Sequence, residues 1–217
     1  MNQQTAPQNP LVLSYLAMRK AVGIVGFALP FALALGGFLI GREGIQVTMS
    51  DYYYTDMRGI FVGSLSAIGV FLMSTRGYDL YDEIAGRLAA AFAIGIALFP
   101  TTPSVDATSR AKALGAIHLS SAALFYLTAA YISIVLFTKT TADNNPTPQK
   151  LQRNMVYRIC GYAILACISM ILAYELLPDK TSLEKLTPVF WLEAVASVSF
   201  GVSWLTKGET ILKDQET

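Results

Sequence analysis

Long apolar runs alternate with short polar connections fenced by basic residues along almost the whole chain, and this alternation predicts a bundle of membrane-crossing helices. A spanning helix needs about twenty mostly apolar residues. Residues 21–41 meet that length between Lys20 and Arg42, and residues 59–75 come close to it between Arg58 and Arg76. The run 88–100 is short by itself; it reaches spanning length when the helix starts near Ile84 and Arg87 snorkels to the headgroups. The pattern is therefore all-α: an integral membrane helical bundle in one domain over residues 1–217, with six spans near 21–41, 59–75, 84–100, 113–137, 159–177 and 189–205. Residues 11–18 are partly apolar and are expected to lie along the interface as an amphipathic lead-in.

Composition agrees with lipid as the solvent. Hydrophobic residues make up 53% of the 217 and charged residues only 14%, against about a quarter charged in soluble proteins. A net charge of +1 gives no basis for a nucleic-acid partner, which would leave a clustered basic footprint. The first ten residues carry no Lys or Arg, so the first run reads as a retained anchor and not as a cleaved signal. With the N-terminus inside, ten Lys and Arg flank the inner helix ends and six the outer ones. Both termini are thus expected in the cytoplasm and the protein in the plasma membrane, a bacterial inner membrane. The connection 138–158, with Asn144-Asn145-Pro146-Thr147-Pro148, is the longest polar one and reads as a hinge before the last two spans.

Small residues predict helix contacts. Gly59, Gly63 and Ala67 recur at four-residue steps and residues 85–97 are rich in Ala and Gly, so the second and third spans are expected to pack tightly in mid-bundle. Trp191 and Trp204, about 20 Å apart along one helix, suit the two aromatic belts of a bilayer. Cys160 and Cys167 are separated by roughly 10 Å of helical rise and read as small packing residues.

The stretch Ser50-Asp51-Tyr52-Tyr53-Tyr54-Thr55-Asp56-Met57-Arg58 holds two acids, a base and five hydroxyl-bearing side chains besides, more than a connecting turn needs. His118, Glu175 and Glu193 fall by counting at the same face, as do Thr101, Thr102, Ser104 and Asp106. Ionisable groups inside a span cost about 2.5–3.5 kcal/mol at its centre, so they face protein or water. For Glu193, Arg58 is the expected partner, with an Arg58–Asp51 pair as the structural alternative. His118 has Ser121 one turn on and reads either as a histidine bonded to a neighbouring helix or as a base or proton relay. A ligand-binding set follows: Ser50, Asp51, Tyr52, Arg58, His118 and Glu193. No cofactor or metal is expected, since His118 is the only histidine and a catalytic zinc wants three protein ligands. Glycine-rich phosphate loops, HExxH and GxSxG are absent from the sequence.

Ser50-Asp51-Tyr52-Tyr53-Tyr54, Met57-Arg58-Gly59-Ile60-Phe61-Val62-Gly63, Arg76-Gly77-Tyr78-Asp79, Ala97-Leu98-Phe99-Pro100-Thr101 and Phe200-Gly201-Val202-Ser203-Trp204 together resemble a group of small bacterial multi-pass membrane proteins. That group is similar to the CREST superfamily of alkaline ceramidases and progestin and adipoQ receptors. The resemblance implies a membrane-embedded, zinc-dependent lipid amide hydrolase, with Ser50 and Asp51 as its serine and acid and His118 as one histidine. The residues themselves favour a non-enzymatic protein that binds a lipid headgroup or small polar ligand at its outer face. The hydrolase and a proton-coupled transporter using His118 and Glu193 are the alternatives.

Overall fold

The structure is a computed structural model and describes residues 10–41, 44–75, 77, 79–140, 147–178 and 181–212, the side chains of 10–14 and 181–182 excepted. Residues 1–9, Arg42, Arg76, Lys180, Lys213 and the Asn144-Asn145-Pro146 part of the expected hinge lie outside the described residues.

Helix α1 covers Pro10–Gly36 and runs on as a π-helical turn, Gly37–Gly41; α2 is Arg58–Ser74 and α3 Leu80–Leu98. Helix α4, Ser109–Tyr131, also ends in a π-helical turn, Ile132–Leu136; α5 is Pro148–Glu175, α6 the single turn Thr181–Glu184, and α7 Pro188–Lys207. No strand occurs among the described residues. Each long helix packs on its neighbour in the chain, and α7 returns to α1, so the six long helices close a ring. Four segments are long and apolar enough to cross a membrane: Tyr15–Gly41, Ser109–Leu136, Pro148–Glu175 and Pro188–Lys207. This marks the chain as a membrane protein. Helix α2 is apolar but only 17 residues long, and α3 carries Asp82, Glu83 and Arg87 in its first two turns. The outer surface is apolar, with Ile24, Phe31, Leu35, Val70, Leu119 and Ile159 exposed. Polar side chains turn inward instead, as in the buried Ser133–Ser203 hydroxyl pair at 2.8 Å.

Helix boundaries depart from the sequence reading where capping residues act. Helix α5 starts at Pro148, eleven residues before the apolar run, because the Thr147 hydroxyl accepts from the Lys150 N–H at 3.1 Å and proline suits the first helical position. The part of the supposed hinge from Pro148 to Arg158 is therefore helix. Helix α3 starts at Leu80, where the Asp79 carboxylate accepts from the Asp82 N–H at 3.0 Å. Residues 11–18 are the opening turns of α1 and not a separate interfacial segment.

Two packing expectations are corrected. Gly59 and Gly63 face open space. Helices α2 and α3 do pack, but through Gly69, where a Cβ would lie 2.6 Å from Ile94 and 3.1 Å from the Ala90 carbonyl. Trp204 is buried against Phe137 and Phe200, so only Trp191 remains exposed as a belt residue would be. Helices α1 and α7 approach closely: a Cβ on Gly201 would stand 2.5 Å from the Phe27 backbone nitrogen, and one on Gly23 2.7 Å from that of Leu205. Pro30 interrupts α1 and withholds the N–H that would serve the Gly26 carbonyl. Ser197 of α7 supplies the missing donor, its hydroxyl reaching Gly26 O at 2.8 Å.

Candidate functional site

The connection between α1 and α2 is built by a reciprocal cap. Thr48 and Asp51 stand three residues apart; the Asp51 N–H donates to the Thr48 hydroxyl and the Thr48 N–H to the Asp51 carboxylate, both at 3.0 Å. This fixes the start of a 3-10 turn over Ser50–Tyr54. The Thr55 hydroxyl closes the turn by donating to Tyr52 O at 3.0 Å while accepting from the Met57 N–H at 3.1 Å.

The turn lies across the ends of α3, α4 and α7. Its Tyr54 hydroxyl donates to the Thr101 carbonyl beyond α3 at 2.5 Å. Burial, then the neighbouring Tyr53 and Asp51, holds that phenol above its ordinary value of 10.0, so it stays protonated as a donor. Val47 O accepts from the Phe190 N–H at 3.1 Å, satisfying one of the orphan donors in the first turn of α7.

His118 of α4 is buried between two partners. Its Nδ1 faces the Phe99 carbonyl at 2.7 Å and its Nε2 the Ser50 hydroxyl at 2.9 Å. A carbonyl only accepts, so Nδ1 carries the proton and, in the neutral ring, Nε2 accepts from Ser50. Phe61 stacks beside the imidazole at 6.5 Å. Glu193 of α7 accepts from the Met49 N–H at 2.6 Å. Beneath Met49 and Ser50 lies a cavity of about 30 Å³, with Glu193, Tyr126 and Ser197 among its polar walls and Phe61, Phe125 and Phe200 among its apolar ones. At about 10–15 Å³ per water it holds two or so.

The six expected site residues divide. Ser50 meets His118, Glu193 joins the same turn one residue earlier through the Met49 N–H, and Asp51 holds the turn that brings Ser50 there. Tyr52 is fully buried but packs beside the cavity, with Phe190 at 6.1 Å and Gly37 against its ring. Arg58 is exposed and stays outside: its guanidinium donates to the Tyr53 hydroxyl at 2.8 Å and stacks on that ring at 4.3 Å. The expected Arg58–Glu193 pair is replaced by the Met49 N–H, and Asp51 is occupied by Thr48. Asp56, Ser104 and Asp106 are exposed, and Glu175 is exposed at the end of α5. Ser121 returns its hydroxyl to Ile117 O at 2.8 Å and does not join His118.

Sequence reasoning missed the backbone partners, Phe99 O and Met49 N–H, because main-chain groups carry no residue signature. It also missed Ser197, although Pro30 at mid-helix announces an orphaned carbonyl that some hydroxyl must meet. Among the described residues no three His, Cys, Asp or Glu side chains converge as a metal-ligand set. No protein-family model, curated protein or solved structure matches the chain.

Proposed function

We propose that this chain is a six-span protein of the plasma membrane, termini in the cytoplasm, that binds a small polar ligand or lipid headgroup at its outer face without catalysing a reaction. The observation that carries the reading is the double clamp of the Ser50–Tyr54 turn onto buried groups of two helices, Ser50 on His118 and Met49 on Glu193, above an internal cavity. The turn acts as a lid: release of these two bonds, together with the Tyr54 tie to Thr101 and the Val47 tie to Phe190, opens the hollow, and a ligand with a donor and an acceptor takes the place of the Ser50 and Met49 contacts. The cavity of about 30 Å³ is well below the roughly 300 Å³ of a formed ligand pocket, so binding requires that the turn lift.

The test is mass-spectrometric identification of molecules that co-purify with the protein, repeated on Glu193→Gln and His118→Gln. A defined polar molecule or lipid carried by the parent protein and lost from either variant is the expected result. A parent protein that carries nothing, with a melting temperature indifferent to added membrane lipids, ends the proposal.

The Ser50 to His118 contact favours a second reading, since a hydroxyl 2.9 Å from an imidazole nitrogen is the contact by which a base activates a serine nucleophile. Against it, Phe99 O stands where an orienting acid would be. Labelling of Ser50 by a fluorophosphonate, abolished in His118→Gln, would replace the binding reading with the hydrolase one.

A further inference from the structure

The walls of the cavity beneath the Ser50–Tyr54 turn favour one sign of charge. Among the described residues the Glu193 carboxylate has one partner, the Met49 N–H at 2.6 Å, and it pairs with no Lys or Arg. Arg58, the base expected beside it, lies outside on the Tyr53 ring. An ionisable group within a membrane bundle ordinarily faces an opposite charge or water, and a charge held away from water without a counter-charge is strongly destabilising.

The other polar walls offer acceptors. Ser50, Tyr126 and Ser197 all line the cavity, and each donates its hydroxyl proton to the protein: Ser50 to His118 at 2.9 Å, Tyr126 to the Glu193 carbonyl at 3.5 Å and Ser197 to the Gly26 carbonyl at 2.8 Å. What these oxygens have left for an occupant is lone pairs. No basic side chain lines the cavity among the described residues.

The apolar walls are largely aromatic. Phe125 meets Phe200 at 5.2 Å and Tyr126 at 5.4 Å, with ring planes crossing at 59° and 67°, and Phe61 completes the set. Aromatic rings attract cations through their faces, and cages of them hold quaternary ammonium groups. An anion would meet the carboxylate and the lone pairs, and a neutral ligand would leave Glu193 without a counter-charge. A hard metal ion such as calcium asks for a shell of oxygens, whereas most of this lining is hydrocarbon.

We propose that the site beneath the Ser50–Tyr54 turn takes an organic ammonium group, its charge against the Glu193 carboxylate and its carbons among Phe61, Phe125 and Phe200. The inference rests on the lid reading above, since the closed hollow of about 30 Å³ admits the group only when the turn lifts. The ammonium then takes over the donor role of the Met49 N–H. It belongs either to a free amine or to the ethanolamine or choline headgroup of a phospholipid.

Full-length protein in neutral detergent is melted in choline chloride, ethanolamine hydrochloride and sodium chloride at matched ionic strength. It is also melted with the uncharged carbon analogue of choline, in which a tert-butyl group replaces the trimethylammonium. Micelles doped with phosphatidylethanolamine, phosphatidylcholine or phosphatidylglycerol supply the lipid arm. Stabilisation by choline or ethanolamine assigns a free amine, and stabilisation by the two zwitterionic lipids alone assigns the headgroup. Glu193→Gln keeps an oxygen for the Met49 N–H, yet should raise the concentration needed for half the response about tenfold or more, as should Phe125→Leu. Arg87→Gln, at the other end of the ring, should respond as the parent does. Should the site variants fail to fold, the parent's preference for choline over its uncharged analogue reads the charge without any substitution. Equal stabilisation by choline and that analogue, by sodium chloride, or by all three lipids overturns the ammonium and leaves the lid reading standing; so does an unchanged response in Glu193→Gln. Indifference to every additive and lipid overturns both.

Discussion

Pro30 and Ser197 show how one residue's deficit is met by another 167 positions away. Proline cannot donate to Gly26 O, and the Ser197 hydroxyl does so at 2.8 Å in the seam between α1 and α7. Ser197→Ala leaves that carbonyl without a partner and should destabilise by about 1–3 kcal/mol. In the Pro30→Ala background the helix supplies its own N–H and most of that loss should vanish, which a double-mutant cycle in denaturant reads. Glu193 follows the same logic. Glu193→Gln keeps an oxygen for the Met49 N–H, so its melting temperature should stay near the parent's, whereas Glu193→Ala strands the donor and should fall well below it. Equal losses in both variants would mean that charge, and not hydrogen bonding, fastens the turn.

Helix pairing is decided by which small residues meet a neighbour. Gly201 and Gly63 look alike in the sequence, yet Gly201 presses on the backbone of Phe27 and Gly63 meets nothing. Gly201→Ala should therefore push α7 off α1 and cost about 1–3 kcal/mol or more. Gly63→Ala should be neutral or mildly stabilising, since alanine is the better helix former; a melt in detergent separates the two. Trp204 makes the same point in aromatic form. Its position near a helix end suited an interfacial belt, but α7 turns it inward onto Phe137 and Phe200.

Between α3 and α4, the molecule is tied by exposed charges. Lys139 holds Asp79 at 2.8 Å, and that bond, then the cap to the Asp82 N–H, holds the Asp79 carboxyl below its ordinary value of 3.8. The same bond holds the lysine above its ordinary 10.5. A depressed acid stabilises the fold above its unfolded pKa and loses the contribution as pH falls through the folded one. A raised lysine stabilises below its unfolded pKa and loses the contribution as pH rises through the folded one. The tie is complete between about pH 4 and 10 and weakens on either side. Melting temperature should decline on acidification below about pH 4, and Asp79→Asn should remove part of that decline; an unchanged acid limb in the variant would locate the titrating groups elsewhere. The polar cluster around Ser50–Arg58 lies at helix ends, where polar side chains are tolerated. Its existence was legible in the sequence, because buried polarity stands out against apolar runs, but the partners of its residues were left open.

From the chain alone came the helical class, the apolar spans and the concentration of polar residues beside Tyr52, since length and hydropathy are local properties that lipid enforces segment by segment. Helix starts at Asp79 and Thr147 were also encoded locally, in caps that an apolar-run count passes over. Which face of each helix turns inward was settled only by packing. Rotation about a helix axis depends on neighbours distant in sequence: it put Arg58 outside and Ser50 on His118, gave Glu193 a backbone donor instead of an arginine, and drew Arg19 and Lys207 into one cleft.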